Sequence, residues 1–108
     1  MLRHHITHFL DYCKNSNFSN RSIESLECRL LEFNAFIQQQ AAPGIEHITY
    51  HHLIQFVADF GTPSPSVKKM RVWSLHQFFH YLTLQQLIPH NVAALLQSLS
   101  VLMNASHD

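Results

Sequence analysis

The sequence is poor in glycine, in charge of either sign and in uninterrupted apolar stretches. It has two glycines among 108 residues, while 46% of the residues are hydrophobic, which favours a packed helical protein over a disordered tail or a glycine-turned β-sandwich. No window approaches the roughly 20 apolar residues of a membrane span, and the N-terminus lacks a signal-peptide pattern. We therefore expect a cytoplasmic protein that folds as one domain over residues 1–108.

Net charge is also absent, because seven lysine and arginine residues are balanced by seven acidic residues. Bulk electrostatics therefore does not predict a nucleic-acid-binding protein, and any attraction to DNA has to come from where the charges lie. The ten histidines add substantial positive charge only below about pH 6, because the ordinary pKa of histidine is near 6.5.

Cysteine and metal-binding motifs are scarce as well. Cys13 and Cys28 have no C-x-x-C spacing, which favours reduced, buried thiols over a disulfide or a metal site. Histidines do recur at the i, i+4 spacing that can hold a metal, in the pairs His4/His8, His47/His51 and His76/His80. No H-E-x-x-H motif and no neighbouring cysteine or carboxylate pair completes such a site, so we predict neither a metal nor another cofactor.

Apolar residues recur every three or four positions along most of the chain, which predicts helices and no strands. The first helix begins at Leu2 and stops in the polar run at residues 14–17. Ser19 is a typical N-cap for the second helix, whose apolar stripe continues to about Gln40.

Three further helices follow in the second half of the sequence. Thr49 is the expected N-cap of the third helix, which Gly61 closes, and Ser64 is the N-cap of a fourth that runs to about Leu84. After a connector, Asn91 caps a last helix whose apolar side is Val92, Leu95, Leu96, Leu99 and Met103. The pattern predicts an all-α orthogonal bundle of four to five helices.

The fourth helix carries its charge at the unexpected end. Lys68, Lys69 and Arg71 occupy the first two turns, although the N-terminus is the positive end of the helix dipole and each cation there is unfavourable by roughly 0.3–1 kcal/mol. An anion beyond this end would explain them, and phosphate fits because a helix N-terminus also presents free N–H groups.

The body of the same helix is apolar and aromatic. Trp73 points nearly opposite to Leu75 and Phe79, so the helix has to be buried on several faces. Trp73, Phe78, Phe79 and Tyr81 are therefore interpreted as core residues rather than a base-stacking platform. The cationic end escapes burial only if it protrudes from the bundle, so we expect an exposed tip.

Polar and cationic residues also open the second helix. The candidate DNA-contacting residues at the two helix starts are Lys68, Lys69, Arg71, Arg21, Ser22, Ser66 and Asn20. The alternative for the cations is an ordinary solvated helix end, and the serines can serve only to satisfy first-turn N–H groups.

Three blocks of the sequence together resemble the core-binding domain of tyrosine recombinases and phage integrases, an N-terminal SAM-like domain. Residues 18–23, with the apolar stripe that follows, are similar to the family's L-S-x-x-T entry into a long helix. Residues 48–57 resemble its I-T-x-x-D-I-x-x-F-L helix, and residues 75–93 resemble L-R-x-F-F-x-Y-L followed by G-x-I-x-x-N-P-A. The chain departs from the pattern at Ser22, Leu26 and Val92, where the family usually has threonine, tyrosine and proline.

The resemblance implies a DNA-binding module that forms half of a clamp around recombination-site DNA, with the starts of the second and fourth helices facing the duplex. In the family, the tyrosine nucleophile and its basic partners lie in a following catalytic domain, so we expect no enzymatic activity from this chain and interpret it as a fragment or a truncated relative. The implied partners are double-stranded DNA, the catalytic domain and neighbouring recombinase protomers.

A helical protein-interaction module without direct DNA contact is the alternative function. The absence of net charge and the apolar side of the predicted last helix favour it.

Overall fold

The computed structural model describes residues 2–42, 44–94 and 96. Along these residues the chain forms α1 (Leu2–Lys14), α2 (Asn20–Gln38), a 3₁₀ turn (Ile45–His47), α3 (Tyr50–Ala58) and α4 (Pro65–Leu84). The described ranges contain no β-strand, so the all-α fold predicted from the sequence is confirmed.

The starts of the helices follow from local capping. Ser19, Thr49 and Ser64 precede α2, α3 and α4 as predicted, each in an extended conformation. Thr49 forms a capping box in which its hydroxyl accepts from the His52 N–H at 3.3 Å and its own N–H donates to His52 Nδ1 at 3.0 Å. A histidine fills the place that glutamate usually takes in this motif.

The ends of the helices were predicted less well. The α2 helix ends at Gln38, two residues before the predicted Gln40, and α3 ends at Ala58, well before Gly61. Gly61 and Thr62 have positive φ values of 70° and 47°, so they reverse the chain after α3 rather than capping it directly. The 3₁₀ turn was not predicted.

The predicted last helix lies mostly outside the described residues, including Leu95, Leu99 and Met103. Where the chain is described, Asn91 accepts a hydrogen bond from the Ala93 N–H at 3.0 Å through its side-chain oxygen, as a capping residue does. Leu96 is fully buried.

Aromatic rings join all four helices in one core. Phe9 of α1 packs edge-on against Phe78 of α4, with ring centroids 5.6 Å apart. Phe79 of α4 contacts Phe33 of α2 at 6.1 Å, and Phe33 contacts Phe56 of α3 at 5.1 Å. Each of these side chains is almost completely buried, which stabilises the fold by about 1.5–3 kcal/mol per ring. The core thus fixes the body of α4 against the other helices.

Candidate nucleic-acid interface

The α2 helix begins with a polar turn that is open to solvent. Ser19 Oγ accepts a hydrogen bond from the Ser22 N–H at 3.1 Å, and its hydroxyl donates to Ser22 Oγ at 3.0 Å. Asn20 and Arg21 are exposed, while Ser22 is half-buried. Because helix geometry leaves the first N–H groups without helical acceptors, this turn offers donors to an anion.

The α4 helix begins in the same way. Ser64 Oγ accepts from the Val67 N–H at 3.2 Å, and Pro65 occupies the first helical position, where no N–H is needed. Ser66 and Lys69 are exposed and Lys68 is half-buried. The structure therefore places two of the three predicted cations of this helix where solvent reaches them.

The start of α2 faces the second and third turns of α4 across an open groove of about 510 Å³. Arg21, Ser22 and Ser25 form its α2 wall, and Met70 and Trp73 form its α4 wall. Lys69 lies one helical turn before Trp73, and Ser66 one turn before Met70, so both belong to the groove side of α4. We refer to this surface as the α2/α4 groove.

Arg71 does not belong to this exposed surface, and the prediction that it lies at an exposed tip is wrong. Its side chain is buried, with only 3% of the residue exposed. Nη1 donates to the carbonyl oxygens of Phe56 at 2.7 Å and Phe60 at 2.8 Å. Nε lies 3.3 Å from Glu32 Oε1, and the guanidinium stands 4.4 Å from the centroid of the Phe56 ring.

The reason lies in the helical repeat, since Arg71 precedes buried Leu75 by one turn and shares its inward face. An arginine can occupy that face when carbonyls and a carboxylate satisfy its donors.

Acidic side chains limit the positive charge near the groove. Glu24 lines its continuation along α2, together with Arg29 and Cys28. Arg29 Nε lies 3.4 Å from Glu32 Oε1, so Glu32 forms ion pairs with two arginines at once. Three cations remain exposed or half-exposed at the helix starts: Arg21, Lys68 and Lys69.

Sequence reasoning did not identify Ser25, Met70 and Trp73 as residues that line the α2/α4 groove. Ser25 lies one turn after Arg21, and Met70 and Trp73 are three residues apart on one side of α4, so helical spacing contained a signal for each pair. Phe78, Phe79 and Tyr81 are buried as predicted, whereas Trp73 is only half-buried because one side of it faces the groove.

The two cysteines differ in burial, and the histidine pairs form no metal site in the part of the chain that the structure describes. Cys13 is buried as predicted, and burial raises its pKa to about 11. Cys28 is exposed, contrary to the prediction, and accepts a hydrogen bond from Arg29 Nη2 at 2.9 Å. The rings of His4 and His8 stand edge to face with centroids 5.0 Å apart, but no group of three metal-ligating side chains occurs in the described ranges.

Comparison with known families identifies the fold. The family model of the phage integrase N-terminal SAM-like domain matches residues 6–86, and the chain belongs to that family. Membership implies a role in integrase or recombinase function, and this domain is not itself the catalytic domain of an integrase.

No curated protein and no solved structure matched the chain significantly. Among the described helices, none has the length and apolar character needed to cross a membrane.

Proposed function

We propose that this chain is the DNA-binding domain of a site-specific tyrosine recombinase and that it contacts the DNA backbone through the starts of α2 and α4. Membership in the integrase family supports the recombinase setting. The single observation that supports the contact surface is the α2/α4 groove, which brings Arg21 from one helix beside the side of α4 that carries Ser66 and Lys69.

The chemistry of this surface suits phosphate. Free N–H groups and the positive dipole ends of two helices attract anions, and Arg21, Lys68 and Lys69 extend that attraction. Asn20, Ser22 and Ser66 add short polar side chains that can donate to phosphate oxygens. Contacts of this kind set the register of a protein on the duplex and carry no base sequence directly, so we propose binding that tolerates many sequences.

The proposed partners and reaction follow from the recombinase setting. The domain would form half of a clamp on recombination-site DNA, with a catalytic domain and neighbouring protomers supplying the remainder. The DNA-breaking tyrosine would come from the catalytic domain. Among the tyrosines of this chain, Tyr81 is buried and its pKa is raised, mainly by that burial, which is the reverse of what a nucleophile needs.

Salt dependence tests the contact surface. If Arg21, Lys68 and Lys69 each neutralise one phosphate, the log–log slope of affinity against salt is about −2.7. We expect each of Arg21→Ala, Lys68→Ala and Lys69→Ala to weaken binding of a labelled duplex and to make the slope shallower by about 0.9. Titrations at several salt concentrations measure both quantities.

Arg3→Ala is the charge-matched control. Arg3 is an exposed cation in the first turn of α1, and it belongs to neither of the two helix starts proposed as the contact. We expect its removal to leave the slope unchanged. Equal losses from all four substitutions, or none from any, would show that the two helix starts are not the contact.

A second candidate function is protein contact at the far end of α4. Leu84 and Leu87 are 54% and 44% exposed, which is high for large apolar side chains. Such a surface suits a second protomer or the catalytic domain. Light scattering on the wild type and on Leu84→Glu/Leu87→Glu tests self-association, and an unchanged monomer in both would exclude it for this chain alone.

A further inference from the structure

We propose that Arg71 is a positioning residue for DNA binding: it holds the cationic start of α4 in place through α3 and α2 and does not touch the DNA. This inference rests on the proposed function, because it assigns to Arg71 the task of presenting Lys68 and Lys69 to phosphate. Sequence reasoning placed Arg71 among the contacts, so the two roles make opposite predictions.

The first step is where the anchoring of α4 begins. The buried residues of α4 start with Arg71, and no residue between Pro65 and Met70 is buried. The first two turns, which carry Ser66, Lys68 and Lys69, are therefore less buried than the body of the helix. Arg71 is the first buried side chain of α4, and its contacts with α3 and α2 fix this segment to the remainder of the protein.

The second step is what Arg71 holds. Phe56 lies in the last turn of α3 and Phe60 lies in the loop to α4, and both carbonyls accept from Arg71 Nη1. A guanidinium at this position satisfies carbonyls that the end of α3 leaves without N–H partners and complements the negative end of its dipole. The positive charge of Arg71 is unfavourable near the N-terminal end of α4 but favourable at the C-terminal end of α3.

The third step is the link to α2. Glu32 Oε1 lies 3.3 Å from Arg71 Nε and 3.4 Å from Arg29 Nε. Arg29 lies on the α2 side of the groove continuation, beside Arg21 and Met70. Arg71 therefore connects the end of α3, the loop before α4 and the wall of α2, which together determine the separation of the two helix starts.

The test is a double substitution that removes the Arg71–Glu32 ion pair without changing net charge. Because Glu32 also pairs with Arg29, we choose Arg71→Met together with Glu32→Gln in the full chain, since the glutamine oxygen can still accept from Arg29. We expect a helical, folded protein whose Kd for duplex DNA rises at least about fivefold, at the low end of the coupling between separate sites. The salt slope should stay at the wild-type value, because no phosphate contact is lost.

The matched control removes another ion pair of zero net charge. Asp11 and Lys14 are 3.9 Å apart and both are well exposed. Asp11→Met with Lys14→Met should leave the Kd unchanged. Amide hydrogen exchange adds a readout of position: exchange at residues 68–70 should accelerate in the Arg71/Glu32 variant, while the buried residues of α1 and α2 keep their protection.

Two outcomes would overturn the inference. A folded double variant with the wild-type Kd would make Arg71 purely structural, and a slope shallower by about 0.9 would make it a direct phosphate contact. If the double variant does not fold, Arg71→Lys decides, because a lysine keeps the charge but lacks the planar fork that reaches several acceptors. We expect a weaker Kd at an unchanged slope, and wild-type binding by Arg71→Lys would refute positioning.

Failure of the proposed function has a different signature. If Lys68→Ala and Lys69→Ala bind DNA as the wild type does, the contact surface is wrong. Amide exchange at residues 68–70 then still reports whether Arg71 holds the start of α4.

Discussion

Individual side chains of the same type have sharply different environments in this protein, and the two cysteines show it most simply. Cys13 is fully buried in the face of α1 that packs on the core, and burial raises its pKa to about 11. Cys28 is exposed on α2, where Arg29 donates to its sulfur. Since the thiolate is the reactive form, the two thiols should differ in reactivity.

We expect one fast-reacting thiol in the native protein. At about pH 8 an aromatic disulfide reagent should label Cys28 quickly and Cys13 only after unfolding. Cys28→Ser should abolish the fast phase, whereas Cys13→Ser should leave it intact. Because the fold favours the neutral Cys13 thiol, its raised pKa contributes to the free energy of unfolding below about pH 9. This contribution is lost as pH rises toward 11. Two fast thiols would contradict the burial of Cys13.

His76 should give the stability of the fold the opposite dependence on pH. Burial lowers its pKa, and its Nε2 atom is buried without a hydrogen-bond partner among the described residues. A lowered pKa stabilises the fold above the unfolded pKa of about 6.5, and that contribution is lost as pH falls. Urea unfolding at pH 7 and pH 5 should show lower stability at pH 5, and a smaller difference in His76→Gln. His80→Gln, exposed on the same helix, is the control that should behave as the wild type does.

At the scale of single helices, starts and ends follow different rules. The starts use side chains that the sequence displays: Ser19, Thr49 and Ser64 were predicted and are confirmed. The end of α4 instead uses a backbone conformation, with the Leu87 N–H donating to the Leu82 carbonyl and Gln86 at φ 59°. This is a Schellman motif with glutamine where glycine is usual.

Gln86→Gly should therefore stabilise the protein. A side chain in the left-handed region costs about 1–2 kcal/mol, which glycine avoids. Glycine also raises the conformational entropy of the unfolded chain, and this offsets part of the gain in stability. We expect a net gain of about 1 kcal/mol, or a rise in Tm of about 4–8 °C, by thermal circular dichroism. Gln85→Gly is the matched control: Gln85 has φ −81°, so glycine there should be neutral or destabilising. Equal shifts for both variants would contradict the role of the positive φ.

At the scale of the whole molecule, the absence of net charge makes DNA binding depend on a few positions. At neutral pH the chain as a whole does not attract DNA, so the attraction has to come from the three cations at the helix starts. The sequence has ten histidines, a residue type that gains positive charge below its ordinary pKa of about 6.5, so acid adds cations outside the helix starts, although burial lowers the pKa of His5 and of His76. Binding at one face should thus give way to diffuse binding as pH falls.

We expect DNA binding to depend less on Lys68 and Lys69 as pH falls. At pH 7.5, Lys68→Ala/Lys69→Ala should bind duplex DNA at least about tenfold more weakly than the wild type at low salt, because two phosphate contacts are lost. At about pH 5.5 the ratio should fall toward one, because protonated histidines replace the missing charge. Fluorescence anisotropy at the two pH values measures the ratio, and a constant ratio would show that the histidines do not contribute.

Much of the fold could be predicted because its signals are local. Helical spacing identified α1 to α4, and capping residues set three of the starts. The candidate site was harder, because the partners of Arg71 lie 11, 15 and 39 residues away in sequence. The sequence predicted an exposed tip for Arg71, and only tertiary contacts show that carbonyls and Glu32 satisfy it on the inward face it shares with Leu75. The groove likewise needs two helices, so neither helix alone could reveal it.

The position of Trp73 has a practical consequence for spectroscopy. It is the only tryptophan in the sequence, and it forms part of the wall of the α2/α4 groove while its other side packs against the core. Its emission can be excited apart from that of the three tyrosines and eight phenylalanines, so the protein carries an intrinsic optical reporter at the surface proposed to meet DNA. Occupation of the groove should change its intensity and its access to iodide, while a ligand bound at the far end of α4 should leave both unchanged.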